Sequence, residues 1–297
     1  MTELLRSLMP WGADVIVWVQ GFSNGALDVL FTVATYLGRE QFYILFLPIL
    51  YWCVHKHLGR ALSIVFLLSE YVNGILKDAF GLPRPNEFDP RIRAPLPETS
   101  PSFPSGHAQG SLVFWGTMAA LVRRTWMWVV SVVLILLISL SRIYLGVHFP
   151  QDVLGGWVVG LVLMALYFWA RCMVRGVILS LGIQLGIALV VPLVLFALHP
   201  SEGSALITGV AFGMLPGFVV EEHFVRFRSD GVWWKRVLRF VVGVIPLLAL
   251  YLGLKLVFPE GDLFRFVRYA LVGVWAGLLA PWLFVAIGLA EREPRRG

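Results

Sequence analysis

Residues 126–170 read WMWVVSVVLILLISLS, RIYLGVHFPQD and VLGGWVVGLVLMALYFWA in succession, with the breaks after residues 141 and 152. Two apolar runs, 126–141 and 153–170, flank a short stretch that carries an arginine, a histidine and an aspartate. Each run approaches the ~20 apolar residues that an α-helix needs to cross a bilayer. This part of the chain therefore predicts two membrane-spanning helices joined by a polar turn, and it sets the fold class for the rest.

The composition of the whole chain agrees with a protein that lies in a membrane. The 297 residues are 58% hydrophobic and 14% charged, with a mean hydropathy of +0.79. A soluble domain has about 25% charged residues. The net charge of +6 is carried in short loops between apolar runs, which is typical of orientation signals in membrane proteins. We therefore expect no nucleic-acid partner.

Apolar segments recur along the chain and predict an all-α, polytopic transmembrane helical bundle. Residues 12–20 are expected to form a helix at the membrane interface. The chain is predicted to divide into a motif-bearing part, 1–171, and a motif-poor C-terminal part, 172–297. Ten spans are placed near residues 22–37, 41–54, 61–80, 105–122, 126–141, 153–170, 177–198, 205–221, 238–257 and 267–289.

The loops divide by charge across the predicted membrane. Basic residues near 56–60, 123–124, 171–175, 226–236 and 292–296 all fall on the side of the N-terminus. An excess of lysine and arginine marks the cytoplasmic side of a membrane protein. Both termini are therefore predicted to be cytoplasmic, and the proline-rich loop 81–104 and the turn 142–152 extracytoplasmic. We expect no removable signal peptide at the N-terminus.

The cysteines give no sign of metal or disulfide chemistry. Cys53 and Cys172 lie in or at the end of apolar runs, and no CxxC or Cys/His metal spacing is present. The pattern therefore predicts neither a zinc site nor a disulfide framework. No metal and no cofactor is expected.

Three cations are predicted to meet on the extracytoplasmic face. Lys77, Arg84 and Arg142 lie in or beside the two polar loops. Converging cations suit a group with several anionic oxygens, and an arginine offers a bidentate fork to phosphate. Ser105 and Gly106 open the span that follows, and free backbone N–H groups at a helix start bind anions. We expect these five residues to bind a phosphate group.

Two histidines lie close to these residues in the predicted arrangement. His148 precedes Asp152 by about one helical turn, so the carboxylate can orient the imidazole as a neutral nucleophile. His107 follows Gly106 and is the natural proton donor to a departing alkoxide, and then the base for water. Cations around the phosphate would stabilise the charge that develops on its oxygens, which requires no metal ion.

Other polar residues give weaker signals. Glu70 and Asn73 precede Lys77 along one face of the third span and are candidates to support the phosphate ligands from behind. For Glu70 we weigh a brace below the site against a structural hydrogen bond without catalytic consequence, and the latter is slightly favoured. The acidic residues of loop 81–104 could tune the entry of the lipid head group, but a solvated face is favoured for them: Glu87, Asp89 and Glu98.

Taken together, the motifs resemble the three-part signature of the type 2 phosphatidic acid phosphatase superfamily. The matching elements are Lys77–x6–Arg84-Pro85, Pro104-Ser105-Gly106-His107 and Ser141-Arg142–x5–His148–x3–Asp152. The resemblance implies a six-helix phosphatase core, here followed by about four additional C-terminal helices. It also implies a metal-independent reaction on the extracytoplasmic face with these roles: nucleophile His148, its orienting carboxylate Asp152, general acid His107, and phosphate ligands Lys77, Arg84, Ser105, Gly106 and Arg142.

The resemblance implies hydrolysis of a lipid phosphate monoester or diphosphate through a phosphohistidine. Segments 37–48 and 140–148 are similar to those of sphingoid-base phosphate phosphatases, whereas Pro-Ser-Gly-His is commoner in bacterial lipid phosphatases. Four substrates are therefore candidates: sphingoid-base phosphate, phosphatidate, phosphatidylglycerophosphate and undecaprenyl diphosphate. Phosphotransfer to a lipid or sugar hydroxyl is the alternative. A non-enzymatic lipid binder or transporter is disfavoured, because no motif residue is missing.

The expected location is a bacterial inner membrane, or the endoplasmic reticulum membrane if the source is eukaryotic. The expected partners are a lipid phosphate and the surrounding membrane lipids. Two roles are left open for residues 172–297: a homodimer contact and a lid over the lipid entrance.

Overall fold

The computed structural model describes residues 1–294, and helices form most of this part of the chain. One isolated antiparallel bridge pairs Phe227 with Arg292. The all-α prediction is confirmed. The helices are α1 (Thr2–Ser7), α2 (Met9–Gln20), α3 (Gly25–Tyr36), α4 (Glu40–Pro48), α5 (Lys56–Phe80), α6 (Pro85–Phe88), α7 (Gly106–Val122), α8 (Thr125–Tyr144), α9 (Pro150–Met173), α10 (Leu181–Leu198), α11 (Glu202–Val220), α12 (Trp233–Val257), α13 (Asp262–Val274) and α14 (Ala280–Ala286).

Three short π-helical segments extend these helices. They are Ile49–Val54 after α4, Glu221–Val225 after α11, and Trp275–Leu279 between α13 and α14. The predicted interfacial helix at 12–20 coincides with the greater part of α2.

Seven helical segments in the described chain are long and apolar enough to cross a membrane. Four of them follow residue 180, so the predicted set of four additional C-terminal helices is confirmed. Three of the ten predicted spans form shorter helices: α3 has 12 residues, α7 has 17, and Glu40–Val54 is also short. Ten membrane crossings therefore stays a prediction. The seven segments are Lys56–Phe88, Thr125–Tyr144, Pro150–Met173, Leu181–Leu198, Glu202–Val225, Trp233–Val257 and Asp262–Ala286.

The described residues fall into two compact units. The first contains Met1–Tyr43 and Leu68–Met173, and the second contains Ile44–Leu67 and the chain from Val174 onward. Every residue predicted for the phosphate site lies in the first unit. The predicted boundary after residue 171 falls near the end of α9, but segment 44–67 groups with the C-terminal part. The division into 1–171 and 172–297 stays a prediction about domains.

In the first unit, α7 is enclosed by its neighbours. It packs against α8 and α9, and its buried residues cover most of the helix surface. A helix that is apolar on all sides is typical of such a central position. By contrast, α8 and α9 expose large apolar side chains such as Val129, Val133, Val158 and Leu161, which suits a surface that faces lipid. The motif at the start of α7 is thereby held at the centre of the unit.

Glycines allow α9 to lie close to α7. A Cβ atom at Gly156 would lie 2.7 Å from the carbonyl oxygen of Ser105, and one at Gly160 would lie 2.8 Å from Leu112 Cδ2. Small residues of this kind let helix backbones approach in membrane proteins. Because these two glycines have no side chain, α9 can lie this close to α7 near the start of both helices.

The second unit has its own close packing and its own buried charges. Gly209 and Gly213 of α11 lie against the backbone of α13, where a Cβ atom would collide. Lys56 is 2% exposed, and its Nζ lies 3.6 Å from Glu221 and 3.0 Å from Glu293. Because the partners are present, these buried charges are compensated, and they tie the segment near Glu293 to this unit.

Candidate active site

The start of α7 carries the second motif. Helix α7 begins at Gly106, one residue after the predicted start of the span at 105, and Ser105 caps it by accepting a hydrogen bond from the Ala108 N–H at 3.4 Å. The Ser105 N–H donates to the carbonyl oxygen of Asp152 at 3.0 Å. This bond joins the start of α7 to the first turn of α9. His107 lies in the first turn of α7, next to this junction.

A buried amide network braces the same helix start. Asn73 Nδ2 donates to the Gln109 Oε1 atom at 2.9 Å and to the Pro104 carbonyl at 3.3 Å. Gln109 Nε2 in turn donates to the Ser69 carbonyl at 2.7 Å. Asn73 therefore touches the start of α7 from α5. The proposed role of Glu70 as a brace stays a prediction.

His148 lies directly ahead of α9 and is 1% exposed. Its Nδ1 lies 3.5 Å from Oδ2 of Asp152, which is also 1% exposed. Arg84 Nη1 lies 2.9 Å from the other ring nitrogen, Nε2, and 3.5 Å from Nδ1. Because a guanidinium only donates, Nε2 accepts from Arg84 and the ring proton belongs on Nδ1, facing Asp152. The Nε2 lone pair thus points toward Arg84.

The surroundings of His148 favour its neutral form. Burial lowers the pKa of this imidazole well below its usual value, and the charges of Arg84, Lys77 and Arg142 lower it further. The ring is therefore unprotonated at neutral pH. An attacking nitrogen needs this state, since a protonated imidazole has no free lone pair.

Two of the three predicted cations converge on the end of loop 81–104. Arg84 Nε donates to the Ser100 carbonyl at 2.7 Å, and its Nη2 donates to Ser100 Oγ at 2.9 Å. Lys77 Nζ donates to the same Oγ at 3.0 Å and to the Pro101 carbonyl at 2.6 Å. The loop thus folds back over the cations.

The third cation, Arg142, is joined to Arg84 by Glu98. Glu98 Oε2 accepts from Arg84 Nη2 at 2.9 Å, and Oε1 pairs with Arg142 Nη2. Burial raises the pKa of this carboxyl, but the charges of Arg142, His107 and Arg84 outweigh burial and hold the pKa at about 2. The expectation of a solvated Glu98 is therefore wrong. Two buried guanidiniums, brought together only by the fold, draw the carboxylate inward.

The other two acidic residues of the loop make local contacts. Glu87 is exposed, as expected, and its Oε2 accepts from the Arg84 N–H at 2.9 Å. Asp89 pairs with Arg91 at 2.7 Å and is only 13% exposed. The expected solvated face thus describes Glu87 but not Asp89.

Two buried nitrogen atoms of the site lack a hydrogen-bond partner within residues 1–294. They are His107 Nε2 and Arg142 Nε. A buried polar atom without a partner is destabilising by about 1–3 kcal/mol. Native proteins rarely keep such atoms without a reason, and a substrate would supply the missing partners. Arg142 also donates to the hydroxyl of Thr35 in α3, a contact that no motif in the sequence predicts.

Two family models match different parts of the chain. Residues 58–175 match the PAP2 superfamily, and residues 205–292 match the PAP2 superfamily phosphatase transmembrane extension. The first match contains all three motifs. The second lies within the four C-terminal helices.

Two relatives show the range of this similarity. The chain is 30% identical over 228 residues to a probable sphingosine-1-phosphate phosphatase of Dictyostelium discoideum, covering 68% of this chain and 55% of that protein. It is 34% identical over 107 residues to an undecaprenyl-diphosphatase of Sulfolobus acidocaldarius, covering 35% of this chain and 51% of that protein. The chain thus spans about half the length of each relative.

One solved structure shares the fold. It is the crystal structure of a transmembrane PAP2 type phosphatidylglycerolphosphate phosphatase from Bacillus subtilis, which is 24% identical with a TM-score of 0.50. The similarity covers 58% of this chain and 90% of that chain. The two family models show that the chain carries a PAP2 superfamily domain and the transmembrane extension of that superfamily, and the seven apolar helices with the shared fold indicate an integral membrane protein.

Proposed function

We propose that this protein is a phosphatase that hydrolyses a lipid phosphate monoester or diphosphate through a phosphohistidine. The observation that carries the proposal is the setting of His148. Its Nδ1 faces Asp152, and its Nε2 lone pair faces Arg84 beside two further cations. The names of the two relatives, a sphingosine-1-phosphate phosphatase and an undecaprenyl-diphosphatase, support this class of substrate.

In the first step, Nε2 of His148 exchanges its hydrogen bond from Arg84 Nη1 for the phosphorus atom and attacks it, while Arg84 donates to a phosphoryl oxygen. A P–N bond forms, the P–O bond to the lipid breaks, and His107 gives its proton to the departing oxygen. Arg84 and Arg142 stabilise the charge on the phosphoryl oxygens. Asp152 holds the ring and stabilises the positive charge that it gains.

In the second step, water attacks the phosphohistidine. His107, now neutral, takes a proton from the water, the P–N bond breaks, and the electron pair returns to Nε2 of His148. Inorganic phosphate and the lipid alcohol are the products, and both histidines regain their starting states. Neither step includes a metal ion, so we propose a metal-independent enzyme that acts at the extracytoplasmic face.

A phosphate-release assay tests this proposal. The purified protein is assayed in EDTA against sphingoid-base phosphate, phosphatidate, phosphatidylglycerophosphate and undecaprenyl diphosphate, beside His148→Ala. We expect release from at least one lipid, and loss of that release in His148→Ala. As a control, His223→Ala replaces an exposed histidine in the second unit and is expected to keep full activity. Activity that EDTA abolishes, or that survives in His148→Ala, would overturn the mechanism.

The same assay separates hydrolysis from phosphotransfer. Both reactions pass through the same intermediate, so they differ only in the acceptor. Release of inorganic phosphate without any acceptor lipid is the expected result. Phosphate release that stays absent until an alcohol acceptor is added, with the phosphate recovered on that acceptor, would instead identify a transferase.

A further inference from the structure

The end of loop 81–104 binds the same cations that are proposed to hold the substrate phosphate. We call residues 98–101 the cap segment. Its Ser100 and Pro101 oxygens accept hydrogen bonds from Lys77 and Arg84, as described above. Glu98 supplies the charge: one carboxylate oxygen binds Arg84, and the other binds Arg142.

The Glu98 carboxylate resembles part of a bound phosphate. It presents two anionic oxygens to two guanidiniums, as two oxygens of a phosphoryl group would do. Arg84 Nη1, on the same guanidinium, also contacts His148 Nε2 at 2.9 Å. The Arg84 guanidinium therefore contacts both the carboxylate and the nitrogen that would attack phosphorus. A substrate phosphate cannot reach both arginines while Glu98 holds them.

The carboxylate is the part of this cluster that is free to move. Arg84 and Arg142 have side chains that are 2% and 0% exposed, whereas that of Glu98 is 26% exposed. The arginines have further anchors in the fold, since Arg84 donates to the Val147 carbonyl at 2.7 Å and Arg142 binds Thr35. Glu98 lies on an irregular loop between α6 and α7. Displacement would therefore move Glu98 rather than the arginines.

We propose that Glu98 is an internal competitor for the phosphate site, and that it keeps the affinity of the site for free inorganic phosphate low. This inference rests on the proposed function. A lipid substrate binds partly through its chain, and that remote binding can offset the loss of the Glu98 ion pairs. Inorganic phosphate has no chain to contribute, so the same cost leaves it weakly bound, and the returning carboxylate displaces it after hydrolysis. Glu98 is thus a residue that weakens product binding and promotes the release of inorganic phosphate.

The test compares inhibition by inorganic phosphate in matched variants. Glu98→Gln keeps the size of the side chain and removes its charge. We expect its inhibition constant for inorganic phosphate to fall at least about tenfold, since charge-assisted bonds to two arginines no longer compete. The KM for the lipid should also fall, because the lipid phosphate displaces the same carboxylate. Asp89→Asn removes one charge from the same loop. Because Asp89 does not pair with Arg84 or Arg142, this variant should leave both constants unchanged.

Two results would overturn the inference. One is an inhibition constant that is unchanged or raised in Glu98→Gln. The other is a loss in kcat alone, which would assign Glu98 a purely structural part in holding the arginines. If Glu98→Gln does not fold, Glu98→Asp replaces it; its shorter carboxylate reaches the arginines less well, so a smaller fall in the inhibition constant is expected, and no fall would overturn the inference.

Direct binding distinguishes this inference from the proposed function. Calorimetric titration of inorganic phosphate into His148→Ala, with and without Glu98→Gln, measures the anion site without turnover. Tighter binding on loss of Glu98 supports the inference even if no tested lipid is hydrolysed. An active enzyme whose phosphate binding ignores Glu98 would overturn the inference and leave the proposed function standing.

Discussion

At the scale of single residues, the proposed general acid has the sharpest test. His107 Nε2 is buried without a hydrogen-bond partner within residues 1–294, so a proton on this nitrogen would be available to a departing oxygen. We expect His107→Asn to lower kcat/KM for an alkyl phosphate ester by about 10²–10⁴-fold. The loss in kcat/KM should be much smaller for p-nitrophenyl phosphate, because nitrophenolate leaves without a proton and kcat/KM does not include the second step. Steady-state kinetics on both substrates measure the two losses.

Equal losses on the two substrates would contradict a role in protonating the leaving group. Equal losses in kcat/KM would point instead to binding of the phosphate group, which both substrates share. His223→Asn serves as the matched control, since the same substitution at an exposed histidine should change neither rate.

Glu98 makes a prediction about pH. Its pKa is held at about 2, below the ordinary value of 4.5, by Arg142, His107 and Arg84. A depressed carboxyl pKa keeps the ionised form until the pH falls toward the depressed value. The ratio of phosphate inhibition constants between the native enzyme and Glu98→Gln should therefore be the same at pH 4.5 as near pH ~6. If the pKa of Glu98 were the ordinary 4.5, half of the carboxyl would be protonated at pH 4.5. The ratio of inhibition constants would then fall by about half.

The neighbours of Glu98 must be considered in that measurement. His107 is the histidine among them, and its charge also acts on Glu98 from the start of α7. Repeating the comparison in the His107→Asn background, at the level of phosphate binding, removes that titration. The predicted constancy of the ratio then tests Glu98 against the remaining cations, Arg84, Arg142 and Lys77.

Sequence reasoning found the residues of this site that stand out by type. Charged residues within membrane-spanning helices are rare, so Lys77, Arg142 and Asp152 stand out in the sequence without a structure. Thr35 and Gln109 do not, because a threonine or glutamine within a span is ordinary until its partner is known. Glu98 stands out as a charged residue, but the prediction that it is solvated is wrong, because its two partners are distant in the chain and only the fold brings them together.

At the scale of elements, the contact between α7 and α9 decides how the two histidines face each other. The Gly156 Cα lies close to the backbone at Ser105, where an added Cβ would come within 2.7 Å of the carbonyl oxygen and 3.1 Å of the Gln109 nitrogen. Backbone atoms cannot rotate away as a side chain can. Gly156→Ala should therefore separate the helix starts, with a destabilisation of about 1–3 kcal/mol and a lowered kcat.

The measurement for Gly156→Ala is the thermal unfolding midpoint in detergent, together with kcat. Gly74→Ala is the matched control, because Gly74 lies in α5 of the same unit and a Cβ there would meet nothing within 4 Å. In a helix interior, that change is expected to be neutral or stabilising by up to about 1 kcal/mol. A Gly156→Ala protein as stable and active as Gly74→Ala would show that the close contact does not position the site.

Helix starts were easier to predict than helix lengths. Pro104, Ser105 and Gly106 identify the start of α7 by local chemistry: a fixed φ, a capping hydroxyl and an unhindered backbone. Lengths depend on surroundings. Helix α3 has 12 residues and α7 has 17, although both have the apolar composition of a span. Apolarity alone does not tell a helix buried against protein from one that faces lipid. Ten apolar runs in the sequence therefore do not establish ten membrane crossings.

At the scale of the whole molecule, the chain order does not follow the two units. Segment Ile44–Leu67 groups with the C-terminal helices, although it precedes all three motifs. Within that second unit, Trp52 Nε1 donates to the Ala276 carbonyl at 3.0 Å, and Lys56 pairs with Glu221. These long-range contacts have no signature in the sequence, because each partner is an ordinary residue of its own segment. The family extension at 205–292 thus packs in one unit with an earlier part of the chain.

The orientation of the molecule in its membrane gives the last prediction. The charge bias predicts that the phosphate site lies outside the cytoplasm, so we expect loop 81–104 and the α7–α8 junction on opposite sides. In a background with Cys53→Ala and Cys172→Ser, single cysteines are introduced at two exposed positions, Pro90 and Thr125. Neither position carries a charge, so the orientation signal is unchanged. We expect a membrane-impermeant maleimide to label Pro90→Cys in intact cells, and Thr125→Cys only after the membrane is opened. The reverse pattern would place the phosphate site on the cytoplasmic side, and labelling of both in intact cells would contradict an odd number of crossings between them.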